Sequence, residues 1–546
     1  MNYASVHQRR SMGGHTLQPV LLVLVPVAIV AAILIFSRMG GNGASQDVAG
    51  SAAGEPAIQS MVLQSAFYHL KVHYYSNFLP ASTATGGALA PLDSGYLLVN
   101  GDGQLFSVEW TSDPEAADSP APEMQIKALP YRAPLNGAEL DVANIRGLSR
   151  HWFRVLDVLT LDSDVSVRVL VSHHVWKPAP GCFVVRVSQL EGPPGELYAG
   201  TAAAEWTTVF ESSPCLPPKA FGHVFMGQES GGRLAALPTG EVLLTLGDLQ
   251  FDGIHAEAIY AQDPTASYGK TLLLDIDTGT SRIYTLGHRN PQGLYVAPDG
   301  TVWATEHGPR GGDELNLLVE GSNYGWPYVT FGTQYRTRTW PLNETQAHHD
   351  GYALPAFAWV PSIGVSNLMG VEQAAFPAWQ GDLLVSSLRE QALFRMHIEN
   401  QQVLLVEPIP VGARIRDLLE GPAGQIILWT DNQTIALISP LADANDGRLV
   451  FETECGGCHS HRDTGGRLRS VGPNLVGIYN QRQAAADSDF RYSEALQDLP
   501  GVWDEAQLDA FLQDPAGYAP GTSMQVPGIS DPQRRAAIIS FLQSLQ

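Results

Sequence analysis

A chain of 546 residues exceeds what one ordinary core serves, so two or three domains are expected. Hydrophobic residues make up 44% and charged residues 16%, with 54 Gly and 37 Pro, a composition of turn-rich β structure rather than helix. The 55 acidic against 32 basic residues leave a formal net charge of −23, which argues against nucleic acid or an anionic lipid surface as a partner. That charge suits solubility, or docking to a basic redox partner.

No charged residue occurs from Ser11 to Ser37, and Pro19 to Phe36 is nearly all Val, Leu, Ile and Ala. Roughly 18 to 20 such residues cross a bilayer core as a helix. Residues 1–38 therefore read as a cytoplasmic N-terminus and transmembrane anchor. Arg9 and Arg10 before the run keep that end inside and place the bulk outside, in the periplasm at a bacterial inner membrane. A cleaved signal peptide is the alternative, although its apolar region is usually shorter, about 7 to 15 residues. Residues 39–84 read as a flexible linker, with QSMVLQSAFYHLKVHYYSNF as a possible helix on the rim of the next domain.

From 85 to 440 no long helical period appears. A Gly-containing turn followed by a short apolar strand recurs instead: PTGEVLLTLGD (238–248), PDGTVWATEHG (298–308), WQGDLLVSS (379–387) and PAGQIILWTDN (422–432). SGYLLVNGDG (94–103) and WFRVLDVLTLD (152–162) are weaker copies. Six such repeats predict a mainly β, six-bladed propeller, whose radial packing leaves few bare edges. A β-sandwich is the alternative, but its seven or eight strands would not consume this length. Cys182 and Cys215 are the cysteines outside the C-terminal segment; in an exported chain they form a disulfide or remain two buried thiols.

Three strings stand in order within the propeller: TLGHRNPQGL (285–294), EHGPRGGDELN (306–316) and GSNYGWP (321–327). From about Gly231 to Asp431 the chain resembles the soluble quinoprotein glucose and aldose sugar dehydrogenases, which use pyrroloquinoline quinone (PQQ). The resemblance implies that Arg289 and Asn290 contact the quinone, with Arg289 also at the reacting side. It implies that Gly308 and Pro309 offer backbone carbonyls to a Ca²⁺ ion, with Asp313 and Glu314 at matching acidic positions; hard oxygen donors suit that ion. Arg414 and Arg416 would hold the planar carboxylates of the cofactor, and Arg389 stands where the family usually has Lys.

The match fails on the catalytic side. The family's general base is a His four residues before the Arg of its GRL motif; counting back from Arg233 gives Glu229. The segment that carries a Gln in the family reads GDLQ here, giving Leu249 and then Gln250, and WVPS (359–362) is offset from the aromatic position over the quinone. Glu229 serves as base if burial raises its pKa; His223 or His255 folding into the site is the alternative, and lost activity is a third.

Ala442 begins a different domain, 441–546, a small all-α module. ECGGCHSH carries CxxCH, in which Cys455 and Cys458 add to haem vinyl groups and His459 reaches the iron. Thioredoxin-like or zinc chemistry is the alternative for a bare CxxC, but the adjacent His and the lack of a second Cys pair count against both. Met524 in PGTSM is the expected sixth ligand, because His461 stands too close to His459 to reach the opposite face. With GPNLVGIY, RYSEAL and a final RRAAIISFLQSL, the segment resembles class I cytochrome c, a resemblance that implies support of His459 by the carbonyl of Pro473.

Together these features predict a membrane-anchored, PQQ-dependent sugar or alcohol dehydrogenase. It would pass electrons to its own haem c and on to another cytochrome or the respiratory chain. Two competitors remain open: an electron carrier or binding module whose propeller site has lost activity, and a calcium-dependent propeller hydrolase of the lactonase kind.

Overall fold

The computed structural model describes residues 55–545, except 93–94, 111–120, 146–149, 164, 221–222, 225–226, 334–347, 442–446, 461–470, 486 and 488–489. The predicted anchor and most of its tether, residues 1–54, lie outside the described residues. Among the described residues no helix is long and apolar enough to cross a membrane.

Six antiparallel sheets make the blades. Their innermost strands are Gly87–Leu92, Val155–Asp162, Gly231–Ala236, Pro291–Val296, Val365–Gly370 and Ile415–Glu420, which open blades I to VI. The second strands are the most apolar. Val242–Leu246, Leu383–Ser387 and Ile426–Thr430 are buried at every position, as expected of strands packed on both faces by neighbouring blades. The glycines of the recurring turn, Gly240, Gly300, Gly381 and Gly424, all have φ between 79° and 87°, a left-handed geometry that only Gly adopts cheaply. Four copies of that requirement produce the period seen in the sequence. WFRVLDVLTLD departs from it: Val155–Asp162 is the innermost strand of blade II, and the second is Val167–Lys177.

The expected rim helix is instead two strands, and the propeller begins before residue 85. His69–Ser76 pairs antiparallel with the chain's last propeller strand, Ile435–Pro440, and Ala57–Gln64 adds an outer fifth strand to blade VI. The period-2 pattern of LKVHYYS wins over a helical reading: Leu70, Val72 and Tyr74 enter one core cluster while Tyr75 enters another. The ring is thus closed by joining the two ends of the propeller sequence in one sheet. Cys182 and Cys215 are disulfide-bonded, tying blade II to the segment that follows it.

The C-terminal domain contains helices Gly447–Glu454, Glu494–Gln497, Glu505–Gln513, Pro515–Tyr518 and Pro532–Ser544. Asp504 and Asp531 cap two of them through their carboxylates. Phe451, Trp503, Phe511, Ile538 and Leu542 form its core. A Cβ at Gly447 would stand 2.0 Å from the carbonyl oxygen of Ala537, so the first and last helices cross where glycine permits it.

Candidate active site and haem site

The innermost strands start at one end of the propeller, and the residues just before them converge there. Trp152 and Arg154 precede blade II, Gln228 and Glu229 blade III, Arg289 and Asn290 blade IV, Ser362 and Gly364 blade V, and Arg414 blade VI. Together with His307, Gly308, Pro309, Leu388, Arg389 and Arg416 they line a cavity of about 350 Å³, within the size range of small-ligand sites. A larger cavity of about 760 Å³ lies at the far ends of blades IV and V, around Tyr295, Asp299 and Glu372, and holds none of the predicted residues.

Arg289 is fixed from several sides. Glu306 accepts from its backbone N–H and also bonds the buried His288 at 2.8 Å, so the HRN string is anchored from beneath. Its Nη2 meets Glu229 Oε1 at 2.6 Å, its Nη1 donates to the carbonyls of His307 and Gly308 at 3.2 and 3.1 Å, and its guanidinium stands 5.4 Å from the Trp326 ring. Glu229 has φ 58°, a conformation rare outside Gly, and its Oε2 is buried with no hydrogen-bond partner among the described residues. Asn290 Oδ1 accepts from Gly231 N and Gln292 Nε2, tying blades III and IV together.

On the opposite wall, Asp431 bridges two arginines: Arg414 Nε at 2.8 Å and Arg416 through Nε and Nη2. Burial pushes the Asp431 carboxyl up, but Arg416 and Arg414 outweigh it and hold its pKa below the usual value. Arg389 is largely exposed, with Nη1 on the carbonyl of Ser362 at 3.2 Å. Sequence reasoning thus brought Glu229, Arg289, Asn290, Arg389, Arg414 and Arg416 to one cavity.

Of the alternative bases, His255 is not among the described residues that line it. His255 sits on Asp252, Nδ1 to Oδ2 2.7 Å. His223 lies in a two-residue strand whose side chains are outside the described residues. Leu249 is buried in a separate apolar cluster, and Gln250 reaches Gln228 at 3.3 Å. Asp248, which the sequence reading passed over, lies under Glu229. Burial, then the Glu229 and Asp252 carboxylates, push its pKa well up, and its Oδ2 accepts from Trp326 Nε1 at 2.6 Å. The offset Trp359 belongs to the core, stacked edgewise on Phe357 and Phe394.

The acidic pair beside Gly308 and Pro309 is structural in this conformation. Asp313 accepts from the backbone N–H groups of Gly308, Gly364 and Val365 at 3.1, 2.6 and 3.2 Å. Glu314 accepts from Asn316 Nδ2 at 3.2 Å, and burial together with Glu306 pushes its pKa up to about 8. Among the described residues no three His, Cys, Asp or Glu side chains are grouped to hold a metal.

Trp152, Arg154, Gln228, His307 and Ser362 were missed as pocket residues. The signal was available in principle, because each group stands just before an innermost strand or in the turn after a second one. Mistaking Val155–Asp162 for a second strand hid the first two.

In the C-terminal domain, His459 donates from Nδ1 to the carbonyl of Pro473 at 2.9 Å, leaving Nε2 as the ligating nitrogen. Burial lowers its pKa, favouring the neutral imidazole an iron needs. A Cβ at Gly472 would meet the His459 ring at 2.5 Å, so this glycine sets how the ring lies. Cys455 stands one helical turn before it and Cys458 directly before it, neither in a disulfide, and Met524 is half-buried against the domain core. This donor set fits a covalently held haem with His/Met ligation.

Residues 200–439 match the Glucose / Sorbosone dehydrogenase family, and residues 444–546 match the Cytochrome c family. The chain is 29% identical over 244 residues to the aldose sugar dehydrogenase YliI of Escherichia coli, covering 43% of this chain and 63% of that protein. It is 32% identical over 262 residues to the uncharacterized protein slr1608 of Synechocystis, covering 44% of this chain and 61% of that one. The chain therefore spans less than two thirds of the length of these curated relatives. The C-terminal domain is 34% identical over 106 residues to cytochrome c of Guizotia abyssinica, covering 19% of this chain and 93% of that protein. The apo-form crystal structure of the soluble Escherichia coli aldose sugar dehydrogenase shares the propeller fold, with a TM-score of 0.52 at 24% identity over 70% of this chain and all of that one. The chain is a propeller of the glucose/sorbosone dehydrogenase family followed by a cytochrome c domain.

Proposed function

We propose that the protein oxidises a sugar or related alcohol with PQQ and delivers the electrons to its own haem c. The observation that carries this is the cavity itself, which sets Arg389, Arg414 and Arg416 on one side and the Glu229–Arg289 pair on the other. Three guanidinium groups suit a planar tricarboxylate, and Asp431 holds two of them in a fixed orientation before any ligand arrives. The bound quinone supplies a two-electron acceptor for the hydride that leaves the alcohol carbon. Glu229, which lines the cavity, takes the hydroxyl proton as the carbonyl forms, and Arg289 holds its side chain through Oε1. The family resemblance also assigns calcium to the Gly308 and Pro309 carbonyls. In this conformation Arg289 Nη1 bonds the Gly308 oxygen, and no step here runs through an ion.

Glu229→Gln tests the role. It keeps the shape of the side chain and removes the base, so kcat should fall by about 10² to 10⁴ while PQQ still binds. Unchanged turnover would remove Glu229 from the mechanism. The second reading, an electron-transfer or binding protein with a retired propeller, draws on the same pair, because Arg289 is neutralised by a carboxylate where the family has histidine. PQQ binding without any sugar turnover in the parent protein would establish it.

Single-pass anchoring with the bulk in the periplasm remains part of this proposal. It is supported by the apolar run Pro19 to Phe36 and by the Cys182–Cys215 disulfide, which suits an oxidising compartment. Extraction of membranes at high pH should leave the protein in the pellet, and release would place it free of the bilayer. A downstream cytochrome or respiratory-chain component is the expected acceptor.

A further inference from the structure

Arg154 lines the cavity and has no part in the chemistry above. It is 6% exposed, and its guanidinium stands 5.1 Å from the Trp152 ring. Among the described residues that guanidinium makes one hydrogen bond, Nη1 to Thr85 Oγ1 at 3.3 Å. Its Nε has no partner, and no carboxylate lies within ion-pair distance. The acids around it are taken. Asp431 serves Arg414 and Arg416, while Asp157 and Asp417 serve Arg233. The fold makes room for it nonetheless: a Cβ at Gly86, where φ is 106°, would meet Arg154 Cδ at 3.0 Å. Burial, reinforced by the like charge of Arg416, pushes its pKa down to about 9. A buried guanidinium with no acid partner lowers the stability of the empty protein, and an arriving anion offsets that cost.

We propose that Arg154 is a carboxylate-binding residue of this pocket, taking a planar carboxylate of the bound ligand beside the Trp152 ring. Two ligands bear that group: the quinone tricarboxylate, or an acidic sugar such as a hexuronate in the substrate position. The identity of these candidates rests on the dehydrogenase reading, whereas the test reads binding and not turnover.

The experiment compares the full-length, haem-loaded protein with Arg154→Met. PQQ affinity is read by tryptophan quenching, D-glucuronate against D-glucose by calorimetry in the PQQ-loaded protein, and thermal unfolding without ligand. Arg154→Met should melt higher than the parent when empty and lose at least tenfold affinity for one probe. Loss for PQQ assigns the residue to the cofactor; loss for glucuronate, with PQQ and glucose unchanged, assigns it to the substrate. The proposal is overturned if neither affinity falls tenfold, if the variant melts lower than the parent, or if the parent binds neither probe. A parent that binds PQQ and oxidises no sugar defeats the dehydrogenase reading alone.

Discussion

At the scale of single residues, two positions outside the pocket yield sharp expectations. Gly472 leaves no room for a side chain beside His459. Gly472→Ala should retain covalent haem but displace the imidazole, lowering the reduction potential and changing the axial-ligand spectrum; an unaltered potential would show that the ring has slack. His173 is fully buried in blade II, bonded to Ser188 Oγ at 2.9 Å, and burial pushes its pKa down to about 4. The unfolded chain binds this proton near pH 6.5, so the stabilisation is complete above that pH and is lost as pH falls toward 4. Over that window the contribution is about 3 kcal/mol. The destabilisation of His173→Gln, followed by denaturant unfolding, should therefore shrink as pH falls from 6.5 to 4; a constant difference would contradict the assignment.

At the scale of elements, closure of the ring is the most exposed claim. His69–Ser76 sits between two strands, so Val72→Pro removes a ladder donor inside a sheet and should open blade VI, lowering Tm sharply. Ala57–Gln64 is an exposed edge, and a chain begun at Ser65 should fold with little loss. Four of the turn-and-strand repeats were legible because each turn needs a left-handed glycine and each second strand opens on an apolar run. The closing strands were not, because LKVHYYS follows a linker-like stretch and its partner lies some 365 residues away, at Ile435–Pro440. The same holds for the site. Arg289, Arg414 and Arg416 stand in recognisable strings, whereas Arg154 belongs to a blade whose register the sequence does not show. Asp248 was hidden for another reason, since its significance depends on which carboxylates fold above it.

At the scale of the whole molecule, the strand directions fix the end of blade VI from which the chain leaves the propeller. Asp431 lies at the pocket end of blade VI, and the next strand, Ile435–Pro440, runs from there to the opposite end before the chain continues toward the haem domain. The dependence of haem reduction on protein concentration therefore reports whether electrons pass within one chain or between two. The central claim is that sugar oxidation at the propeller reduces the haem. Oxidised, full-length protein is mixed anaerobically with PQQ and then with an aldose or uronate, and haem absorbance is followed. The account predicts reduction that requires both PQQ and sugar, at a rate independent of protein concentration. A haem that stays oxidised while PQQ is bound and sugar is present would contradict it.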